Sequence, residues 1–192
     1  MSPGSVDGGG ALAPWDGRCD ALSWRVALDP AGGTGGVSQV VANLGLPLPA
    51  PAAVPVRPLH VFAGYADGDG VVYYDGSGRP ARSYETLGPK KLTAKWSELL
   101  SAEVTAMAVG DREVRLLAEL TFSDEVEPES VEAWALQNLK VRSSDDPGSL
   151  DAAEAARPTS VGLSAADGVK ATVGLTVAKP FSVCGFYRVC AD

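Results

Sequence analysis

The sequence is short of the side chains that most enzymes and metal sites use. It has a single histidine, His60, and three cysteines without a Cys-x-x-Cys spacing, so the usual ligands of a structural zinc site are missing. A Ser–His–carboxylate site would have to use His60, and no G-x-S-x-G motif is present. Thiol catalysis would need a cysteine beside that same histidine. The sequence therefore predicts that the protein is not an enzyme, with no catalytic, cofactor-binding or metal-binding residue assigned.

Charge and hydropathy exclude two classes of partner. Lys and Arg number 16 and Asp and Glu 24, a net charge of −8 over 192 residues. Because binding to nucleic acid or to an anionic membrane depends on clustered basic side chains, neither is expected. No apolar run approaches the roughly 18 residues of a membrane span, so no membrane insertion is expected.

The N-terminal residues, MSPGSVDGGGALAP, lack the basic start and apolar core of a secretory signal. The protein is therefore either not secreted by that route or a piece of a longer chain.

Glycine and proline are abundant, at 22 and 14 residues, beside 45% hydrophobic residues. This composition is typical of a turn-rich, all-β protein. The clearest strand opens residues 111–142, where apolar and polar side chains alternate with a period of two. Leu117 is the one apolar residue on the polar side. The predicted buried face consists of Val114, Leu116, Ala118, Leu120 and Phe122.

The strand runs into SDEVEPES, where Pro128 and several carboxylates end the pairing, and residues 131–139 descend into a strand at 139–142. The pattern LTFSDEV, then PESV, then NLKV resembles the opening of bacterial immunoglobulin-like domains, over about residues 111–192. The resemblance implies a small β-sandwich that serves surface and structural proteins as a spacer or adhesive module. Cys184 and Cys190 depart from it, since such domains generally lack a disulfide.

The chain is expected to divide into three parts. Residues 1–20 form a disordered leader, residues 21–109 a β-rich segment, and residues 110–192 the immunoglobulin-like β-sandwich domain. A proline-rich connector occupies residues 45–58, because proline removes backbone donors and favours extended chain.

Strands are expected throughout both larger parts, with two ambiguous segments. Residues 37–44 fit either a helix or a strand. Residues 90–107 carry an amphipathic helical pattern and also fit two short strands, KLTAKW and EVTAMAV, around SELLSA; the β-rich surroundings favour the strands. Residues 143–158 form a polar connection with one helical turn at 150–156. The remaining strands are expected at residues 22–28, 59–65, 71–74, 159–164, 170–177 and 181–189.

Two loops have features of ligand sites. The glycine loop DPAGGTGGVSQ follows a strand and precedes a possible helix, which is the order of elements in a nucleotide-binding turn. Its glycines, however, fit neither G-x-G-x-x-G nor a phosphate loop. Asp67, Asp69 and Asp75 could be taken for a calcium loop, although the ligand spacing of an EF-hand is absent. Turn chemistry is predicted instead, with positive φ at Gly68 and Gly70 and aspartates that bond to their own backbone.

The cysteines leave three arrangements open. Cys184 and Cys190 would lie about 20 Å apart on a straight strand, whereas a disulfide needs Cα atoms within about 7 Å. They pair only if the chain reverses near Gly185. Alternatively Cys19 pairs with one of them, or all three are free thiols.

These observations predict a non-enzymatic structural or adhesive module of a surface or extracellular assembly, a spacer and contact domain whose partners are other protein subunits. The alternative is a carbohydrate-binding module, or part of a carbohydrate-active protein, with Trp15, Trp24, Trp96 or Trp134 as a sugar-stacking platform. A third hypothesis is a fragment of a sugar-nucleotide-dependent transferase built on the glycine loop.

Overall fold

A computed structural model of the chain describes residues 22–178 and 186–191. Within them the protein is mostly β, with one α-helix and one short 3-10 turn, which confirms the expected β-rich character. The predicted leader, Trp15, Cys19 and Cys184 lie outside the described residues.

The elements follow one another in chain order. The first five strands are β1 (Ser23–Asp29), β2 (Gln39–Asn43), β3 (His60–Ala66), β4 (Val72–Tyr74) and β5 (Lys91–Val109). They are followed by β6 (Glu113–Phe122), helix α1 (Pro128–Asn138), β7 (Leu139–Ser144), a 3-10 turn (Pro147–Ser149), β8 (Ala155–Ala156), β9 (Ser160–Asp167), β10 (Lys170–Ala178) and β11 (Phe186–Ala191).

The strands form a large sheet and a small one. The large sheet has the order β2-β1-β5-β6-β10-β9, and β3 pairs with both β5 and β4. Its pairs are antiparallel except for β1 with β5, which is parallel. The small sheet has the order β11-β7-β8. The pairing of β1 with β2 confirms the strand alternative for residues 37–44 and makes the glycine loop a hairpin connection.

Strand β5 corrects the prediction of two short strands, because residues 91–109 form one strand of 19 residues. Its first part pairs with β1 and β3, and its second part pairs with β6 from Leu99 opposite Phe122 to Val109 opposite Val114. The SELLSA residues therefore change pairing partner without a chain turn. Register shifts at Leu99–Ser101 and Val104–Ala106 accommodate the change.

Two groups of buried side chains form the core. One gathers residues of β1 to β5, including Tyr65, Tyr74 and Leu92. The other gathers residues of β6, α1, β7, β10 and β11, together with Val61 of β3. The predicted inward face of β6 is confirmed, because Val114, Leu116, Ala118, Leu120 and Phe122 are all buried. Leu117, on the opposite face, is 39% exposed.

Helix α1 corrects the prediction for residues 131–139, because residues 131–138 are helical and only residue 139 belongs to the next strand. Pro128 lies in the first helical turn, where a missing N–H costs nothing. Val131, Trp134 and Ala135 have helical spacing and are buried. The all-β expectation thus holds for most of the chain but missed this helix.

Two connections also differ from expectation. The helical turn expected at residues 150–156 lies earlier, at Pro147–Ser149, where the Asp146 side chain accepts a hydrogen bond from the N–H of Gly148. The connector at residues 45–58 contains no strand and packs on the first core. Leu48 is 1% exposed there, and the Tyr74 hydroxyl donates a 2.7 Å hydrogen bond to the carbonyl oxygen of Pro49.

Candidate functional site

A cleft of about 310 Å³ lies between helix α1 and strands β3 and β5. We call it the aromatic cleft and define it by His60, Phe62 and Trp96 on the strand wall and Ser130 and Trp134 on the helix wall. Its volume is at the lower end of the range for small-molecule sites.

The strand wall is held by cross-strand pairing. Phe62 lies opposite Trp96 in the β3–β5 register, and their rings meet edge to face with centroids 5.7 Å apart. The Trp96 Nε1 donates a 3.1 Å hydrogen bond to the carbonyl oxygen of Pro30. Its ring lies so close to Gly33 that a Cβ there would be 2.5 Å from the Cζ2 atom. Because the Trp96 N–H is already used, only its ring is available to a ligand.

The helix wall is formed by two residues one turn apart. Ser130 and Trp134 are each 8% exposed. The Trp134 ring meets Phe122 edge to face with centroids 5.9 Å apart, which anchors the helix on β6. Asn138 Nδ2 donates a 2.8 Å hydrogen bond to the carbonyl oxygen of Trp134. A Cβ at Gly76 would lie 2.7 Å from Ser130 Oγ, so glycine at this position allows the helix to come close to the β4 end.

Two buried polar atoms of the helix wall lack a hydrogen-bond partner. They are Ser130 Oγ and Trp134 Nε1, and both residues line the aromatic cleft. A buried donor or acceptor left unpaired costs about 1–3 kcal/mol. Both atoms are buried within the protein, so they lie behind the surface of the cleft and are not exposed in it.

The rim of the cleft is electrically balanced. Arg79 Nη2 lies 2.9 Å from Glu129 Oε2, and the two side chains are 68% and 62% exposed. Such an exposed ion pair adds at most about 1 kcal/mol to stability. For a ligand at the rim, the carboxylate of Glu129 offsets the positive charge of Arg79.

The hydroxyl and imidazole groups at the cleft do not form a nucleophile–base pair. His60 Nδ1 donates a 2.7 Å hydrogen bond to the carbonyl oxygen of Pro58. The Ser77 hydroxyl donates to Asp75 Oδ1 at 2.8 Å, and Ser130 Oγ has no partner. The hydrogen bond of His60 therefore serves the chain that enters β3.

Asp67 has the turn chemistry expected of it. Its Oδ1 accepts hydrogen bonds from the N–H groups of Asp69 and Val71 at 3.1 and 3.0 Å, and its Oδ2 lies 2.5 Å from Lys90 Nζ. Gly70 has a φ of +81°, but Gly68 does not have positive φ, so only one of the two glycines fills the role predicted for both.

Two further observations concern metals and membranes. Within residues 22–178 and 186–191, no group of three or more His, Cys, Asp or Glu side chains is arranged to hold a metal ion. In the same residues no helix has the length and apolar character needed to cross a bilayer.

Cys190 carries a free thiol whose Sγ lies 3.7 Å from the carbonyl oxygen of Lys140. The pairing arrangements that involve Cys19 or Cys184 fall outside the described residues.

A second surface lies on the outer face of the large sheet. Gly162 of β9 lies opposite Gly174 of β10, and together they form the floor of an open groove of about 590 Å³. We call this groove the glycine trough. Leu117 and Met107 line it and are 39% and 48% exposed. The trough is bordered by β9, the last strand of the large sheet.

The structure brings together two of the four tryptophans named from the sequence. Trp96 and Trp134 line the same cleft. Trp24, on β1, packs instead against Tyr84, with ring centroids 6.3 Å apart. Sequence reasoning missed Ser130, because it did not recognise α1. The helical spacing of Val131, Trp134 and Ala135 was the signal that would have found it.

Comparison with known proteins identified no relative of this chain. No protein-family model, no curated protein and no solved structure matches this chain.

Proposed function

We propose that this chain is a non-enzymatic contact module of a surface or extracellular assembly, and that its C-terminal part is an immunoglobulin-like β-sandwich. Support for a sandwich comes from the second core, which is built from buried residues of both sheets, such as Leu120 and Val173 of the large sheet and Val141 and Val189 of the small one. The immunoglobulin-like kinship and the extracellular setting are supported by the LTFSDEV resemblance alone.

The observation that carries the contact function is the edge of the large sheet. Among the described residues, β9 pairs with β10 alone. Residues 160–166, SVGLSAA, contain no charge and no proline, and Ser160, Gly162 and Ser164 are exposed. Natural proteins usually protect an edge strand with charge, proline or cover, because its free N–H and C=O groups recruit another strand. Helix α1 lies close to β9, and the exposed, uncharged residues that it leaves free are suited to strand addition.

The partner that fits this edge is a strand from another subunit, and a second copy of the chain supplies one. In an antiparallel β9–β9 pair centred on Leu163 and Ser164, Asp167 would lie opposite Ser160, so no like charges meet. The glycine trough lies next to this edge, on the face formed by β9, β10, β6 and β5.

Sedimentation velocity over a range of concentrations tests this function. We expect a monomer–dimer equilibrium that Gly162→Lys shifts to monomer, because a lysine on an edge strand opposes its pairing with another strand. Gly162 tolerates a side chain, since a Cβ there has no neighbour within 4 Å. The matched control is Thr172→Lys on the interior strand β10, which lies opposite Glu119 and should leave the equilibrium unchanged. A strictly monomeric wild type, or equal effects of both variants, would refute strand addition between copies.

A second candidate, carbohydrate binding, is favoured by one specific observation. Trp96 and Trp134, which lie in different halves of the chain, line one cleft. Aromatic walls with a few polar groups are the usual composition of a site for a small organic ligand. Titration of the full chain with saccharides, followed by tryptophan fluorescence, tests this candidate.

A further inference from the structure

We infer that the strand that adds to β9 is an extended segment of another protein, and that it places an aromatic side chain in the glycine trough from the residue opposite Gly162. The inference rests on strand addition at β9, the first proposed function, and names the partner by its chemistry.

The glycine trough crosses the strands and ends at the free edge. Its floor contains one row of residues that face one another across neighbouring strands, in the order Ala106, Leu117, Gly174 and Gly162 from β5 to β9. Residues directly opposite each other in antiparallel strands project from the same face of the sheet. A residue that an added strand places opposite Gly162 therefore becomes the next member of this row.

The half of the trough next to the edge is empty. A Cβ at Gly162 would have no neighbour within 4 Å, whereas one at Gly174 would lie 3.8 Å from Leu117 Cδ2. Leu117 therefore bounds the space above Gly174 on the side away from the edge. Helix α1 does not cover the trough, because Val131 and Ala135 of the helix belong to the core on the opposite face of the sheet.

An aromatic ring suits this space in length and in character. Neighbouring strands are about 4.8 Å apart, so a ring on the added strand extends over Gly162 and meets Leu117 above Gly174. Aromatic side chains on adjacent strands stabilise glycines at sheet edges in this way. They also lose little rotamer freedom on binding. A small side chain such as alanine would leave the trough filled with water.

Charge restricts the partner as well. Arg115 is the charged side chain of the trough lining, and its Nη2 lies 2.6 Å from Glu113 Oε1, so an uncharged ring is favoured over a charged group. Asp167 is the one charged residue of β9, and it is exposed. An antiparallel partner complements this carboxylate with a basic residue towards its own N-terminus.

A second copy of the chain meets these conditions less well. In the β9–β9 pair, Ala165 lies opposite Gly162 and Ser160 opposite Asp167, so the trough stays empty and the carboxylate gains no basic partner. Residues 160–166 offer an edge about 23 Å long, and contact one strand wide is small against the roughly 1,200 Å² of a stable interface. By filling the trough, an aromatic partner adds buried apolar area to that of the edge.

The experiment titrates the full chain with fluorescein-labelled peptides and follows their fluorescence anisotropy. The peptides share an extended sequence rich in Thr and Val with a lysine near the N-terminus, and they differ at one central position, which is Phe, Tyr or Ala. We expect the Phe and Tyr peptides to bind at least about tenfold more tightly than the Ala peptide, because the ring buries apolar surface. Replacement of the lysine by glutamate should weaken binding of each peptide.

Two substitutions in the trough test where the ring lies. Gly162→Val puts a side chain at the entrance without strain, since the backbone there does not have positive φ, and Leu117→Ala removes the contact at the other end. Each should reduce the preference for Phe over Ala. The matched control is Thr121→Val, which lies on the same face of β6 but outside the trough and should keep the preference.

The outcomes separate this inference from the function on which it rests. A preference for Phe that both trough variants reduce and Thr121→Val retains supports the inference. Equal binding of the Phe and Ala peptides overturns it, but leaves strand addition standing if Gly162→Lys abolishes both. A preference that either trough variant leaves unchanged also overturns it, because the ring then binds elsewhere. Absence of binding by every peptide overturns it too, while sedimentation velocity decides strand addition between copies separately.

Discussion

Lys90 Nζ lies 2.5 Å from Asp67 Oδ2, and this contact ties the residue before β5 to the turn between β3 and β4. The Asp67 side chain is 5% exposed, and Lys90 also lies 5.4 Å from the centre of the Tyr73 ring. One carboxylate therefore both closes a turn and fixes the start of the strand that the two cores share.

The Asp67–Lys90 contact predicts a pH dependence of stability. The hydrogen bond from Lys90 is the main cause that lowers the pKa of Asp67 below its ordinary value of 3.8. A lowered folded-state pKa stabilises the fold above 3.8, and this stabilisation is lost as the pH falls through the lower folded-state value. We expect Asp67→Asn to lower the melting temperature at pH 7, with a difference from wild type that shrinks below pH 3.8. Asp69→Asn is the control from the same turn. Parallel curves for wild type and Asp67→Asn down to strong acid would refute this role for the contact.

The glycines of the same turn differ in what they require. Gly70 has a φ of +81°, Gly68 does not have positive φ, and neither would bring a Cβ within 4 Å of a neighbour. We expect Gly70→Ala to reduce the free energy of unfolding by about 1–2 kcal/mol, because an L-residue is strained at positive φ. Gly68→Ala should be neutral or slightly stabilising. Urea denaturation measures both, and equal values for the two variants would contradict the turn geometry.

The buried face of β6 predicts a sharp contrast between neighbours. Leu120 is completely buried, whereas Glu119 makes an exposed ion pair with Lys170. Leu120→Asp places an unpaired charge in the core and should unfold at least the C-terminal half. Glu119→Gln should change the free energy of unfolding by less than about 1 kcal/mol. Circular dichroism melts compare the two, and similar mild effects would mean that the register is wrong.

The boundary expected at residue 110 remains a prediction, and β5 suggests how to test it. Leu99, Ala102 and Val104 of β5 pack against the second core. A fragment of residues 99–192 should therefore fold more stably than one of residues 110–192, which loses these side chains and leaves β6 without its β5 partner. Amide dispersion in ¹H–¹⁵N spectra reports folding. If both fragments give equally dispersed spectra and equal melting temperatures, the β5 contacts do not stabilise the C-terminal half.

The parts of this fold that could be predicted from the sequence are those determined by residues close together in the chain. The alternation in β6 is a property of consecutive residues, and so is the ADGDG turn. Helix α1 was missed because Pro128 and its acidic neighbours also suit a turn, and a short helix has a weak pattern of its own. The continuity of β5 depends on where β3 and β6 end, which is a property of distant residues. The aromatic cleft was hidden for the same reason, since Trp96 and Trp134 become neighbours only after α1 docks beside β3.

The unbroken course of β5 has a mechanical consequence. At a rise of about 3.3 Å per residue, its 19 residues span roughly 60 Å, less whatever its two register shifts remove. Both halves are hydrogen-bonded along this one strand. Neither half can therefore rotate relative to the other without breaking cross-strand hydrogen bonds. Under tension the protein should behave as one stiff unit and transmit force from one half to the other. Any binding surfaces that the two halves carry are consequently held in a constant orientation to one another.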